Sequence, residues 1–453
     1  MSPVIDGLRE LFGDRVGTAA SVREQHCGSL TWLPAQPPDA VVFARSRDDV
    51  VAAVRLCAEH GTPLIPYGAG TSLEGQVNAP YGGVCLDLSG MNEIVAIDAD
   101  DLTATVQPGV TREALNRRLR EHGVFFSVDP GADASLGGMA STRASGTTTV
   151  RYGTMRENVR NLEVVLADGR VIRAGARAAK SAAGYDLARL FVGAEGTLGV
   201  ITELTVRLHP VPERVASGVC AFDDLAGAVH TVTAAIRLGL EPARIELLNP
   251  VTVRACNAYS GLGLPETVHL FVELHGGEDE VSGRARAFGD LVKEHGGTGY
   301  AWSTDAGERA RLWRARHDAW WAIHALHPGR RGIPTDVCVP ISRLAECVTA
   351  TERDIADSGV DAPIVGHVGD GNFHLLIMVD PDDADMTARA AALTERLHLR
   401  AIGMGGTCTG EHGIGQGKAA MMPVEHGDAL GVMRAIKQAL DPAGIMNPGK
   451  VLT

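Results

Sequence analysis

The sequence predicts an α+β protein of two unlike halves, and three observations carry that expectation. Glycine-dense loops adjoin short apolar strands throughout the first half. A break at Pro210-Val211-Pro212 then changes the character of the chain. Beyond it, apolar strands alternate with amphipathic helices, a spacing that suits an antiparallel sheet with helices on one face.

Each element follows from periodicity and punctuation. Residues 48–60 carry Val50, Val51, Val54, Leu56 and Cys57 at helical spacing and stop at Gly61. Strands are expected at 63–66, 102–106 and 198–208, and a helix at 112–122 closed by Gly123. Residues 162–166 and 171–173 flank Asp168-Gly169, a hairpin signal. In the second half, strands are expected at 216–222, 269–274, 364–368 and 373–379, and helices at 225–238, 281–295 and 385–402. One more helix is expected from Gly431. The domains are therefore drawn at 1–212 and 213–430, with 431–453 packing back on the first.

Bulk properties exclude several classes. With 453 residues the chain is too long for one ordinary core. Its net charge of −13, from 42 Lys+Arg against 55 Asp+Glu, comes without a basic stripe. Nucleic acid and anionic membrane surfaces are therefore poor partners. No apolar run reaches the length of a membrane span, and 1–9 lacks a signal core. Eight scattered cysteines without a CxxC pair read as reduced, buried thiols. The location expected from this is cytoplasmic, at most peripheral to the membrane.

Three glycine segments point to a ligand. They are Pro66-Tyr67-Gly68-Ala69-Gly70-Thr71-Ser72-Leu73-Glu74-Gly75, then 130–153 with Gly137-Gly138, and Gly193-Ala194-Glu195-Gly196-Thr197-Leu198-Gly199. Glycine allows close backbone approach, and successive N–H groups with hydroxyls form anion-binding nests. A pyrophosphate is the expected guest. None of the three fits GxGxxG opening a helix, and no GxxxxGK[ST] is present, which disfavours nicotinamide and NTP sites.

The second half holds a candidate metal site. If 369–372 is a hairpin turn, His367 faces His374 across the strands, and two imidazoles share one ion. Glu411 completes a His2Glu set with open positions, suited to a catalytic Zn, Mn or Fe ion. A metal hydrolase would use the same ligands. However, HExxH is absent, and that reading leaves the glycine loops unexplained.

The order PYGAGTSLEGQ, VDPGADASLGGMASTRASGT with RYG, and FVGAEGTLGVIT resembles the FAD-binding domain of the vanillyl-alcohol oxidase class, a two-subdomain fold. TDVCVPISRL, GHVGDGNFH, GTCTGEHGIGQGK and MNPGKVL extend the likeness over the whole chain, to the FAD-linked D-2-hydroxy-acid dehydrogenase family and its cytochrome-type D-lactate branch. The resemblance implies that Pro66, Gly68, Ala69, Gly70, Thr71, Ser72 and Gly75 hold the FAD diphosphate. It implies that Pro130, Gly137, Gly138, Ser141 and Gly146 line the flavin and ribityl chain, and Ile201 the adenosine side. Glu195, Gly196 and Asn447 join the cofactor set. No His or Cys is placed for a covalent link, so non-covalent FAD is expected. A mitochondrial targeting extension like that of eukaryotic members is not expected here.

The same resemblance assigns the chemistry. His412 is the candidate general base, since an imidazole titrates in the useful range. Asn372 would hold the substrate hydroxyl or the metal shell, and Arg316 the substrate carboxylate. Trp320, four residues on and expected on the same helical face, favours a short apolar substrate tail, hence D-lactate. Arg330 and Arg331 keep D-2-hydroxyglutarate open, and glycolate and an oxygen-using oxidase stay open as well. The electron acceptor is expected to be a cytochrome, a quinone or an electron-transfer flavoprotein; a homodimer is kept open.

Overall fold

Two units organise the chain, and neither is continuous in sequence. The first comprises Met1–Ser145, Gly153–Val211 and Glu411–Thr453; the second comprises Gly146–Tyr152 and Pro212–Gly410. The computed structural model describes residues 3–27 and 31–452, so Met1 and Ser2 of the segment read for a signal lie outside the described residues. The chain returns to the first unit at Glu411, earlier than the expected 431.

The first unit holds two sheets. One runs in the order Val16–Gly17, Ala40–Phe43, Val84–Asp87, Leu64–Tyr67, and its last three strands are parallel. The helix Arg47–Glu59 starts at a Ser46 cap that accepts from Asp49 N–H and buries Val50, Ala53, Val54 and Cys57. The other sheet is antiparallel, in the order Ile94–Asp98, Thr103–Val106, Val200–Arg207, Val159–Val165, Val171–Gly175. Val165 pairs with Val171 across the Asp168-Gly169 turn. The C-terminal tail joins the parallel sheet: Leu64 N–H donates to the Ile445 carbonyl (2.8 Å), and Asn447 N–H donates to the Leu64 carbonyl (2.9 Å).

The second unit is built on one eight-stranded sheet. Its path runs Thr298–Ser303, Arg214–Phe222, Val268–Gly276, Arg244–Leu248, Ile364–Gly366, Asn372–Val379, Arg331–Pro334, and Val337–Cys338 also pairs with Asn372–Val379. Every pairing is antiparallel. Ile245, Leu247, Leu375 and Ile377 face one core with the helices Leu225–Arg237, Glu278–Glu294, Leu344–Ser358 and Ala384–Gly403. Leu248, Phe271, Leu376 and Met378 face a second core with Pro250–Ser260, Ala306–His317 and Ala319–Leu326.

Helices thus cover both faces, where one face was expected. The physical reason is visible in Asn372–Val379, which is buried at all eight positions and therefore apolar without alternation. All eight cysteines are free thiols, and all but Cys338 are buried. Burial pushes the Cys57 thiol up to about 12, so it behaves as a small core residue. Among the described residues no helix is long and apolar enough to cross a membrane.

Candidate active site

His374 pairs with Val365, and Ile364 with Leu375. After Gly366 the chain turns through Val368–Asp370, and Asn372 N–H donates to the His367 carbonyl (3.3 Å). His367 therefore does not stand opposite His374, as a simple hairpin would have it. The register differs by two residues. Because side chains alternate with a period of two, that shift leaves both imidazoles on one face of the sheet. Their ring centroids are 5.4 Å apart and their planes nearly perpendicular, at 82°.

Hydrogen bonds fix which nitrogen each ring presents. His374 Nδ1 lies 2.9 Å from the Thr335 carbonyl, which can only accept, so Nδ1 carries the hydrogen. His367 Nδ1 lies 2.7 Å from Glu246 Oε1, with the same consequence. With the hydrogen on Nδ1, the neutral form of each ring carries its lone pair on Nε2, the arrangement of a metal-ligating histidine held by an outer partner.

Glu246 is fully buried, and its other oxygen accepts from Arg316 Nε (2.9 Å) and Nη2 (2.5 Å). A buried carboxylate is tolerated only when paired in this way. Asp336, also fully buried, accepts from Asn372 Nδ2 (2.7 Å) and Thr409 Oγ1 (2.8 Å). Asn372 Nδ2 donates again to the Val337 carbonyl (2.7 Å). Among the described residues nothing donates to the buried Asn372 Oδ1, so an acceptor remains for a ligand.

Glu246 and Asp336 went unassigned in the sequence reading. The signal for Glu246 was a lone carboxylate in the apolar strand Arg244–Leu248, which can be buried only with partners. Arg316 ends the helix Ala306–His317, and Trp320 belongs to a separate helix, Ala319–Leu326, so the two do not share one helical face. Asp318, between them, caps the break. Trp320 packs with its ring 4.3 Å from that of His324 and lines the second core. Arg330 pairs with Asp361 (2.7 Å) at the exposed edge, and Arg331 is exposed on the edge strand Arg331–Pro334.

The first unit brings the glycine segments together. A Cβ on Gly68 would stand 2.2 Å from Ser135 Oγ, so glycine lets the loop after Leu64–Tyr67 approach Ser135 without displacing its hydroxyl. Ala69, Gly70 and Thr71 continue this loop, and Pro130 lies in the connection before Leu136–Thr142. Gly137 packs on Pro108, and Gly196 on Pro66. Glu195 N–H donates to the Ser141 carbonyl (2.8 Å), while Ser141 Oγ donates to the Gly137 carbonyl (2.8 Å). Ser72 Oγ and Ser135 Oγ are buried with no hydrogen-bond partner among the described residues. A narrow glycine cradle with orphaned hydroxyls fits a phosphate-bearing cofactor.

Other expected cofactor residues also make contacts within the protein. The Glu195 carboxylate accepts from Ile414 N–H (2.7 Å) and Gly415 N–H (2.8 Å), anchoring the loop that carries Glu411 and His412. Burial pushes Glu195 up to about 7, with the nearby Glu74 adding to the rise. Asn447 donates to the Gln76 and Glu195 carbonyls (3.1 and 2.7 Å) and accepts from Lys450, tying the tail to the segments that hold Gln76 and Glu195. Gly75 packs against Leu33 and Gln416, and Ile201 is buried in Val200–Arg207. Gly146 belongs to the second unit, where its N–H donates to Thr149 Oγ1 (3.0 Å).

In that loop Gly415 has φ +49°, and a Cβ there would meet the Glu74 carbonyl at 2.1 Å. Gln76 Nε2 donates to the His412 carbonyl (2.8 Å), and Ser145 Oγ donates to Glu411 Oε2 (2.8 Å). Glu411 Oε1 lies 3.9 Å from His412 Nε2. The loop thus fixes a carboxylate and an imidazole side by side.

Residues 211–451 match the family described as FAD linked oxidases, C-terminal domain, and residues 38–175 match FAD binding domain. The chain belongs to the FAD-linked oxidases. FAD is the cofactor that its first domain is built to bind. This FAD-linked oxidase is 49% identical to the probable mitochondrial D-lactate dehydrogenase of Danio rerio, over 99% of this chain and 91% of that one. It is 42% identical to the cytochrome-type mitochondrial D-lactate dehydrogenase of Arabidopsis thaliana (92% and 73% covered), and 35% to the glycolate oxidase subunit GlcD of Bacillus subtilis (91% and 89%). Its fold is that of p-cresol methylhydroxylase, with TM-score 0.83 at 21% identity over 99% of this chain and 96% of that one. The expected cytoplasmic location is overturned. The D-lactate dehydrogenase relatives from fish, plant and yeast are mitochondrial.

Proposed function

We propose that this FAD-linked oxidase converts a short D-2-hydroxy acid, D-lactate, to pyruvate. One observation carries the reading: the Glu246 carboxylate holds the Arg316 guanidinium on one oxygen and the His367 imidazole on the other. A group suited to a carboxylate thereby neighbours a group suited to a metal-bound hydroxyl, the pattern a 2-hydroxy acid requires. The names of the relatives support the same substrate.

The unit of Met1–Ser145, Gly153–Val211 and Glu411–Thr453 would form the FAD side, and that of Gly146–Tyr152 and Pro212–Gly410 the substrate side. Non-covalent FAD would supply the acceptor for the hydride leaving C2. A divalent Zn, Mn or Fe ion on His367, His374 and Glu411 would supply a Lewis acid for the hydroxyl oxygen. Arg316 binds the substrate carboxylate through the guanidinium edge turned away from Glu246. Asn372 Oδ1 accepts from the hydroxyl or the metal shell, and an imidazole nitrogen of His412 takes the hydroxyl proton. Trp320 limits the length of the substrate tail. A cytochrome is the acceptor that the Arabidopsis thaliana relative's name supports.

The test compares kcat/KM for D-lactate, D-2-hydroxybutyrate, glycolate and D-2-hydroxyglutarate. D-lactate or D-2-hydroxybutyrate should lead. A preference for the dicarboxylate would overturn the choice, and one for glycolate would favour the reading suggested by GlcD.

A further inference from the structure

We propose that Glu246 is a positioning residue that sets metal affinity and substrate-carboxylate binding together. The proposal rests on the reading of His367 as a ligand for a divalent cation. Glu246 sits mid-strand in Arg244–Leu248, wholly buried, with Leu247 and Leu248 beside it. Its two oxygens have separate duties. Oε1 accepts from His367 Nδ1 at 2.7 Å, which keeps the lone pair on Nε2 and fixes the ring plane. Oε2 accepts from Arg316 Nε and Nη2 at 2.9 and 2.5 Å, which fixes the plane of the guanidinium.

The plain alternative is an ion pair that only neutralises a buried arginine. It accounts for Oε2 but leaves the separate contact of Oε1 with His367 Nδ1, at 2.7 Å, without a purpose. Glu273 offers the comparison, since register places it opposite Arg244 on the adjacent strand and on the same face. Its carboxylate serves Ser217 (2.9 Å), His275 (2.9 Å) and Arg244 (3.6 Å). It too is buried and fully bonded, yet its partners are neither His367 nor Arg316. Loss of Glu273 should therefore cost stability without touching either function.

Removing Glu246's charge frees His367 to adopt the other tautomer and Arg316 to swing. Outer-shell partners of metal ligands are typically worth about 10- to 100-fold in affinity. The experiment uses the FAD-loaded enzyme, stripped of metal by chelation and titrated with Mn2+ or Zn2+ by calorimetry, with KM and kcat for D-lactate measured alongside. Glu246→Gln should weaken the metal about 10- to 100-fold and raise KM, while Glu273→Gln keeps the parent metal affinity. Should Glu246→Gln not fold, Glu246→Asp carries the test: one methylene shorter, it cannot reach both partners and should weaken one binding step or both. Parent-like affinity and KM in the folded Glu246 variant would overturn the proposal, as would an equal loss in Glu273→Gln. A parent enzyme that binds no metal would remove the metal reading itself, and this proposal with it, a result distinct from failure of the variants alone.

Discussion

Val365 faces His374 across the Ile364–Gly366 and Asn372–Val379 pair, and that register brings His367 and His374 onto one face with their rings 5.4 Å apart. Each imidazole has Nδ1 committed to an acceptor, Glu246 or the Thr335 carbonyl. Replacing either histidine by alanine should abolish stoichiometric metal while FAD stays bound. Metal analysis of the gel-filtered protein, beside its flavin absorbance, checks this. Full metal content in both variants would refute the ligand assignment.

His412→Ala should keep FAD and metal and lose about 10²–10⁴ in turnover, the usual size of a general-base effect. Its carbonyl bond from Gln76 does not depend on the side chain, so the loop should hold. Unchanged kcat in a stopped-flow reduction would refute the role.

Glu195 makes stability depend on pH. Its folded-state pKa, raised by burial from 4.5 to about 7, means the folded protein holds a proton that the unfolded chain releases earlier. This contribution is complete below the unfolded value, declines as pH rises from 4.5, and is lost above about 7. The melting temperature should therefore fall across that window. Glu195→Gln should flatten the fall while costing about 1 kcal/mol at low pH, because its amide nitrogen cannot accept from one of the two N–H groups. Melting curves at several pH values decide it; equal slopes in both proteins would contradict the assignment.

Gly415→Ala should displace the loop that carries Glu411 and His412. A left-handed conformation costs a non-glycine residue about 1–2 kcal/mol, before the approach to the Glu74 carbonyl is counted. We expect a lower melting temperature and reduced turnover, measured together on the purified variant. A parent-like enzyme would show that the loop adapts freely.

Local chemistry was legible in the sequence where it was set by neighbours in the chain. The helix ending at Gly61, the turn at Asp168-Gly169, the glycine loops and the two histidines follow from short-range patterns. What escaped depends on long-range pairing. The strand Arg244–Leu248 and its Glu246 take their meaning from Arg316 and His367, far along the chain. The His367–His374 register hinged on a short helical turn at Val368–Asp370 that a plain hairpin omits. Arg316 and Trp320 appeared continuous because nothing in their spacing reveals the break at Asp318. The sequence groups Glu195 with Gly196 but gives no sign that its carboxylate holds a loop more than 200 positions away.

The central claim joins a flavin to a D-2-hydroxy acid, and one measurement addresses both. Purified enzyme titrated anaerobically with D-lactate should lose its flavin absorbance band, reaching full bleaching as pyruvate appears in equal amount. A band that persists under excess D-lactate, or protein with no flavin band at all, would contradict the account.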